Sequence, residues 1–382
     1  MGSNIPHIAV LFEFPTLNGG EHSMLAVLQR LQSRSQFQFS AIAPADGPLA
    51  DRLKAAGIRL VPWDVRDQEG AKRGNSELQS ELEDIVCALQ PDILHANSLS
   101  MSRLVGGCAM LSCGRTGHLR DIMNLNRKPI ADLNANDWLV AVSAATRHHH
   151  VGRGLDRSRC DVIYNGIDVD EFSATDVTYF QKLKSDFDLP KEGRILLNVG
   201  QICLRKGQLD LAKAVVRLLP RHPDLHLVLA GERHSGKSES VDYEAAIQQQ
   251  FESHGLSGHL HRIGYCDQVP ALMQAATLLV HSARQEPFGR VLLEAAACGL
   301  PIIATDVGGT SEMLRDQQEA ILVSPGDESQ LTEAIETALA RPQQYEVRAA
   351  AARRRIHQLF SLQSAADRLA DFWQKVAEER GT

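Results

Sequence analysis

At 382 residues the chain is longer than one ordinary core sustains, so two domains are the natural division. Its 43% hydrophobic and 23% charged residues are ordinary for a soluble globular protein. A net charge of −7 argues against a general nucleic-acid binder, which needs a broad basic face.

Short apolar runs rich in β-branched residues alternate with amphipathic helical stretches almost from end to end. In the first half the predicted strands are 7–14, 37–44, 58–63, 92–97, 117–121, 138–143 and 161–164. In the second half they are 194–200, 225–231, 260–264, 278–282, 301–306 and 320–323. Helical patterns separate them, such as Leu209, Leu211, Ala212, Val215, Val216 and Leu219 on one face. Strands that alternate with helices imply parallel sheets covered on both sides, hence two doubly wound α/β domains. Periodicity lapses over 168–191, where Asp, Ser, Lys and Pro190 collect, and the seam is expected there. Beyond Asp327 the pattern is nearly all helical.

The seven cysteines stand singly, without a Cys-x-x-Cys pair or a zinc spacing, which fits a reducing cytoplasm. Cys108 and Cys113 read as small buried residues. Residues 5–14 are short, lack a basic leader and contain Glu13, so no cleavable signal is expected there. No apolar run approaches the roughly 18–20 residues that span a bilayer. His148, His149 and His150 point in different directions on a helix, so a polar helix surface is expected rather than a metal site. Arg353, Arg354 and Arg355 read as a solvated face, with anionic lipid headgroups as the alternative.

In open parallel sheets ligands bind outside the carboxyl ends of the strands. The strongest constellation there begins at His281. A strand ends, a loop carries Glu286, Pro287, Phe288 and Gly289, and a helix opens at Arg290, with Glu294 in its first turns. A loop-to-helix junction presents free backbone N–H groups and a positive dipole end, which suits a diphosphate. Gly289 lets the backbone approach a ligand closely. Two carboxylates at this spacing could accept hydrogen bonds from a sugar ring and a ribose. Taken as isolated glutamates, they would be solvated helix-start charges.

The whole run resembles the retaining GT-B glycosyltransferases of family GT4: Glu286-Pro-Phe-Gly289, then Glu294-Ala-Ala-Ala-Cys-Gly-Leu-Pro301, then Ala304-Thr-Asp-Val-Gly-Gly309 with Glu312. The resemblance implies two Rossmann-like domains that face a central cleft. An N-terminal acceptor domain (1–175, plus a returning helix at about 362–382) would oppose a donor domain (176–361). It further implies that Glu286 binds the donor sugar's hydroxyls and Glu294 the ribose, with Phe288, Gly289, Arg290 and Val291 against sugar and phosphate. Gly200 with Lys206-Gly207 resembles the family's phosphate clamp. Gln201 stands where the family usually has Arg, and Arg205 is the candidate for the missing charge. Gly231 and the Gly264-Tyr265 pair close strands where the family turns and holds the base, although plain glycine turns explain both equally.

In the first half, Asn18-Gly19-Gly20-Glu21 follows the first strand, and the resemblance makes it a loop that closes over donor and acceptor. His95 reads as a hydrogen-bonded core residue or as part of the family's strand end. Arg120-Asp121 takes the place of the family's His-Asp, which leaves the sugar contacts open and suggests a charged sugar or an acidic acceptor. Asn165-Gly166 with Asp168 and Phe172 resembles the inter-domain segment.

By this resemblance a hexosyl group passes from a nucleotide diphosphate sugar, a UDP-sugar such as UDP-glucose first, to a sugar, lipid-linked or small-molecule acceptor. Retention is expected at the anomeric carbon, with no cofactor and no metal. Asp168-Val-Asp170 lies in the linker rather than at a strand end suited to a metal. Lys206 would offset the charge of the departing diphosphate, and domain closure would exclude water. The rival readings are a sugar-nucleotide epimerase and a nucleotide-sugar sensor without turnover. Cytoplasmic location, with peripheral membrane contact, completes the expectation.

Overall fold

The computed structural model describes residues 5–172, 185, 189 and 192–381. Most of the predicted seam, 168–191, lies outside them. The chain forms two units, Met1–Gly166 with Leu362–Thr382, and Ile167–Ser361.

The first unit carries a seven-stranded sheet in the order β3-β2-β1-β4-β5-β6-β7. Its strands are β1 (His7–Leu11), β2 (Gln38–Ala43), β3 (Arg59–Pro62), β4 (Ile93–Ala96), β5 (Gly114–Leu119), β6 (Trp138–Ala141) and β7 (Cys160–Val162). The second unit repeats the pattern with six strands, β10-β9-β8-β11-β12-β13. These are β8 (Arg194–Val199), β9 (Leu225–Ala230), β10 (Leu260–Gly264), β11 (Leu278–His281), β12 (Ile302–Thr305) and β13 (Ile321–Val323). Among the described residues every neighbouring strand pair runs parallel. Strand order reverses between β1 and β4 and between β8 and β11, so the loops leaving those strands bound each unit's switch point.

The central strands are buried on both faces, which explains their largely apolar runs: all five residues of β1 and all four of β11 are buried. Helices show one apolar stripe. Gln208–Leu218 buries Leu211, Ala214, Val215 and Leu218 and leaves Arg217 exposed. Side-chain caps fix several starts, with Ser98 accepting from the Met101 N–H, Ser143 from Thr146 and Asp327 from Gln330.

Strand β5 starts and ends earlier than the predicted 117–121. Pairing sets its limits, since Ile93 opposes Gly114 and Leu119 opposes Ala141. Arg120 and Asp121 therefore belong to the loop beyond the strand.

The last helix, Leu362–Gly381, belongs to the first unit and supplies the centre of its core. Trp373 is wholly buried, with Phe37 and Phe39 rings at 6.0 and 5.9 Å. Its indole N–H donates to His95 Nδ1 at 3.2 Å. Arg34 and Asp367 pair at 2.5 Å beside it. Cys108 and Cys113 are buried in the opposite face of the sheet. Among the described residues no helix is long and apolar enough to cross a membrane.

Candidate active site

At the switch point of the second unit, two loops leave β8 and β11 and lock together through their backbones. The Arg205 carbonyl accepts from the Arg284 N–H at 2.8 Å and from Gln285 at 3.2 Å. Ser282 Oγ donates to the Lys206 carbonyl at 3.2 Å. Gly207 adopts φ +66°, and a Cβ there would lie 2.0 Å from the Ser282 carbonyl oxygen. Only glycine permits that approach. Asp210, buried at the start of Gln208–Leu218, holds Arg284 through both carboxylate oxygens at 2.9 and 2.8 Å.

The interlock brings three polar side chains to one point. Lys206 Nζ lies 2.5 Å from Glu286 Oε2, and His281 Nε2 lies 3.1 Å from the same oxygen. Glu286 and His281 retain only 6% and 2% of their exposure. Burial works to raise the Glu286 carboxyl, but the Lys206 ammonium and the His281 contact outweigh it and hold the group well below the usual carboxylate range. Burial lowers the His281 imidazole despite Glu286. The ring is thus neutral and donates its Nε2–H to the carboxylate. The site holds one carboxylate and one ammonium in a nearly dry setting.

Next to it the helix Arg290–Cys298 opens behind Gly289, which takes φ +94°. Pro287, Phe288 and Val291 are buried, and the Phe288 ring packs on Phe360 at 5.9 Å. Glu294 accepts from Arg290 Nε at 2.6 Å. Arg290 Nη1 is buried without an acceptor, so the pair can take a further hydrogen-bonding group.

Across β9 and β10 lies an open cleft of about 490 Å³ lined by Gly231, Glu232, Arg233, Glu244, Arg262 and Gly264. Glu244 binds both Arg233, at 2.7 Å, and Arg262. The Gly231 N–H donates to the Gly264 carbonyl at 2.7 Å, and the Tyr265 N–H to Glu232 Oε1 at 3.2 Å. Tyr265 is 65% exposed at the rim. Gln201 is half-buried and its carbonyl accepts from Gln208 at 2.9 Å, while Arg205 is exposed.

The first unit gathers a separate cluster at its own strand ends. Arg120 donates from Nε to the Asn97 carbonyl at 2.9 Å, from Nη2 to Asn97 Oδ1 at 2.9 Å, and from Nη1 to Asn165 Oδ1 at 2.9 Å. His118 Nδ1 lies 3.2 Å from Nη2. Burial lowers the guanidinium to about 10, with Glu21 and Asp121 opposing, so it stays charged at neutral pH. Gly20 packs on the Arg120 stem, and Gly19 faces open space. His95 is wholly enclosed between Thr116, His118 and Trp373, and burial holds it at about 3, so it serves the core.

Two polar runs do more than face solvent. His150 is wholly buried and bonds the Asp121 carbonyl at 2.8 Å, while His149 bonds the Met123 carbonyl at 2.9 Å. Both tie down the loop behind Arg120. Arg355 likewise donates to the Met313 and Glu312 carbonyls at 2.7 and 3.0 Å. Main-chain acceptors near each side chain, unreadable in sequence, draw these groups inward. Reading along the chain also missed the His281 bond to Glu286 and the Asp210–Arg284 pair. The only sequence signal for His281 was its place as the last residue of a strand before Glu286.

The family model for glycosyl transferases group 1 matches residues 180–355, and that for glycosyltransferase family 4 matches 17–171. The chain belongs to the group 1, family 4 glycosyltransferases. Among curated members it is 26% identical over 253 residues to the alpha-maltose-1-phosphate synthase of Mycolicibacterium smegmatis, covering 64% of this chain and 65% of that one. It is 32% identical over 186 residues to the glycogen synthase of Mycobacterium tuberculosis, covering 49% and 43%. The chain thus spans about two thirds or less of these glycosyltransferase relatives. Among solved structures it resembles Anabaena Alr3699/HepE in complex with UDP and glucose, with TM-score 0.83, 22% identity, and 96% and 99% coverage. A sucrose-phosphate synthase from Thermosynechococcus elongatus superposes with TM-score 0.80 at 18% identity, covering 97% and 99%. These likenesses establish the GT-B fold.

Proposed function

We propose that the chain is a retaining glycosyltransferase that moves a hexosyl group from a nucleotide diphosphate sugar, with UDP-glucose the first choice, to an acceptor sugar or glycoconjugate. The observation that carries this reading is the buried Lys206–Glu286–His281 contact at the switch point of the second sheet. Glycosyl transfer from such a donor needs positive charge where the diphosphate departs and a hydrogen-bond acceptor for the sugar. Lys206 supplies the first, joined by the amides at the start of Arg290–Cys298. Glu286, kept ionised by its neighbours, supplies the second. Glu294, steadied by Arg290, accepts from the ribose, and the cleft beside Gly264 and Tyr265 receives the base. The Anabaena HepE complexes with UDP and UDP-glucose support the choice of base and sugar.

No glycosidase-like carboxylate pair is required, because the diphosphate is already a good leaving group. The acceptor hydroxyl attacks the face that the phosphate leaves. Retention is checked by the anomeric coupling constant of the product in proton NMR; an inverted product overturns the stereochemical assignment. Glu286→Gln is expected to lower the transfer rate about 10²-fold while UDP still binds, by analogy with removal of one preorganised polar partner. Transfer by that variant at the wild-type rate would remove Glu286 from the site.

Metal-independent turnover is part of the proposal. Lys206 already places a cation in the site, 2.5 Å from Glu286. Addition of EDTA is expected to leave the rate unchanged within about twofold. A rate that collapses and returns with magnesium or manganese would contradict it.

A further inference from the structure

Arg120 presents a guanidinium that no carboxylate among the described residues contacts directly, although Glu21 and Asp121 act on it through space. Its partners are two asparagines, Asn97 and Asn165, and His118, all neutral acceptors. Burial holds His118 well below its ordinary value, so the imidazole brings no counter-charge and accepts through Nδ1. Among the described residues no carboxylate forms an ion pair with the guanidinium; Asp121 and the buried Glu21 favour its charge only through space. Nη1 carries two protons, of which one is taken by Asn165. The guanidinium is part-buried and sits just past the carboxyl end of β5, the side of the sheet where ligands bind in such folds.

Its position is also firmly built. Asn97 accepts from the guanidinium through both its carbonyl and its Oδ1, and donates onward to the Gly20 carbonyl at 3.3 Å. Gly20 belongs to the opening turn of Gly19–Gln32, and a Cβ there would lie 2.9 Å from Arg120 Cδ. The missing side chain keeps the approach to the Arg120 stem clear. His150 and His149 pin the loop that follows. A flexible surface arginine is held by none of these. With only neutral acceptors in direct contact, a cation held this rigidly gains from an anion that completes the set, and the planar fork matches a carboxylate or a phosphate through two N–H groups.

We propose that Arg120 is a specificity-determining residue that receives a carboxylate or phosphate carried by the substrate, so that the preferred sugar is anionic. This rests on the glycosyltransferase reading for the class of substrate. The anion belongs either to the transferred sugar or to the acceptor, and binding distinguishes the two.

Calorimetric titration of the full chain with UDP-glucuronic acid and UDP-glucose tests the donor arm. Saturation-transfer NMR with glucose 6-phosphate and glucose tests the acceptor arm. Tighter binding of the anionic member by about tenfold or more in either pair is expected, and the pair that shows it names the source. Arg120→Gln should erase that preference while binding of UDP itself stays unchanged. Equal binding within both pairs by the wild-type chain overturns the proposal without any variant, as does a preference that survives Arg120→Gln in a protein with an unaltered melting curve. Failure of UDP to bind would instead strike the donor reading, and the glucose 6-phosphate comparison would still report on Arg120.

Discussion

Lys206→Met is expected to destabilise the chain by about 3–5 kcal/mol at neutral pH and to lower transfer about 10²–10³-fold. Methionine keeps the length and apolar stem of lysine but removes the charge. Glu286 would then remain buried as a carboxylate with only the neutral His281 ring beside it. Breaking a buried pair by removing one partner leaves the other charge uncompensated, and that is the source of the large loss.

The pH dependence separates this account from a simple packing defect. In the wild type the Glu286 carboxyl lies below its ordinary value. Its contribution to stability is therefore present above the unfolded-state value and is lost only as pH falls through the depressed folded one, in strong acid. In the variant burial dominates and the carboxyl rises above its unfolded value. The penalty is then largest at neutral pH and shrinks as acid protonates the group. Urea melts at about pH 7.5 and about pH 5 should show the gap between the two proteins narrowing at the lower pH. A gap of the same size at both values would point to lost packing rather than to Glu286.

Gly207→Ala is expected to be nearly as damaging, although it adds a single methyl. The residue has φ +66°, where a side chain is strained, and the new Cβ would meet the Ser282 carbonyl oxygen at 2.0 Å. Neither atom can rotate away, because both belong to loops fixed by the Arg205 carbonyl and by Ser282 Oγ. The loops must separate, and Lys206 moves off Glu286. We expect a loss of about 2–4 kcal/mol and a fall in transfer of about 10²-fold, the usual consequence of a displacement near 1 Å at a reacting centre. Thermal melts and transfer assays check both. Gly236→Ala, where nothing lies within 4 Å of the added atom, is the matched control and should change neither. Wild-type activity in Gly207→Ala would show that the interlock does not position the site.

How much of this was legible along the chain differs from residue to residue. The predicted strands recur in the structure because a strand buried on both faces is predominantly apolar, and turn residues bound it. The run from Glu286 to Glu294 was readable for a similar reason: a loop and the helix it opens are local, so their spacing along the chain is their spacing in space. Contacts that join distant residues were not. Lys206 and Glu286 stand 80 residues apart, and Trp373 stands 278 residues from the His95 it covers. Even the end of β5, and so the place of Arg120 beyond it, followed from pairing with β4 and β6 rather than from its own composition.

By itself the sequence determined the alternation of strand and helix, the two doubly wound units and the loop-to-helix run that marks the family. All of these follow from hydrophobic periodicity and local backbone chemistry. Only the tertiary structure decided what each charged group faces. Sheet order and register placed Lys206 on Glu286, gave Arg120 neutral partners in direct contact, and drew His150 and Arg355 onto backbone carbonyls. The physical reason is burial. A charge in water needs no particular partner, whereas one removed from water is defined by the groups that the fold, and not the neighbouring sequence, brings within reach.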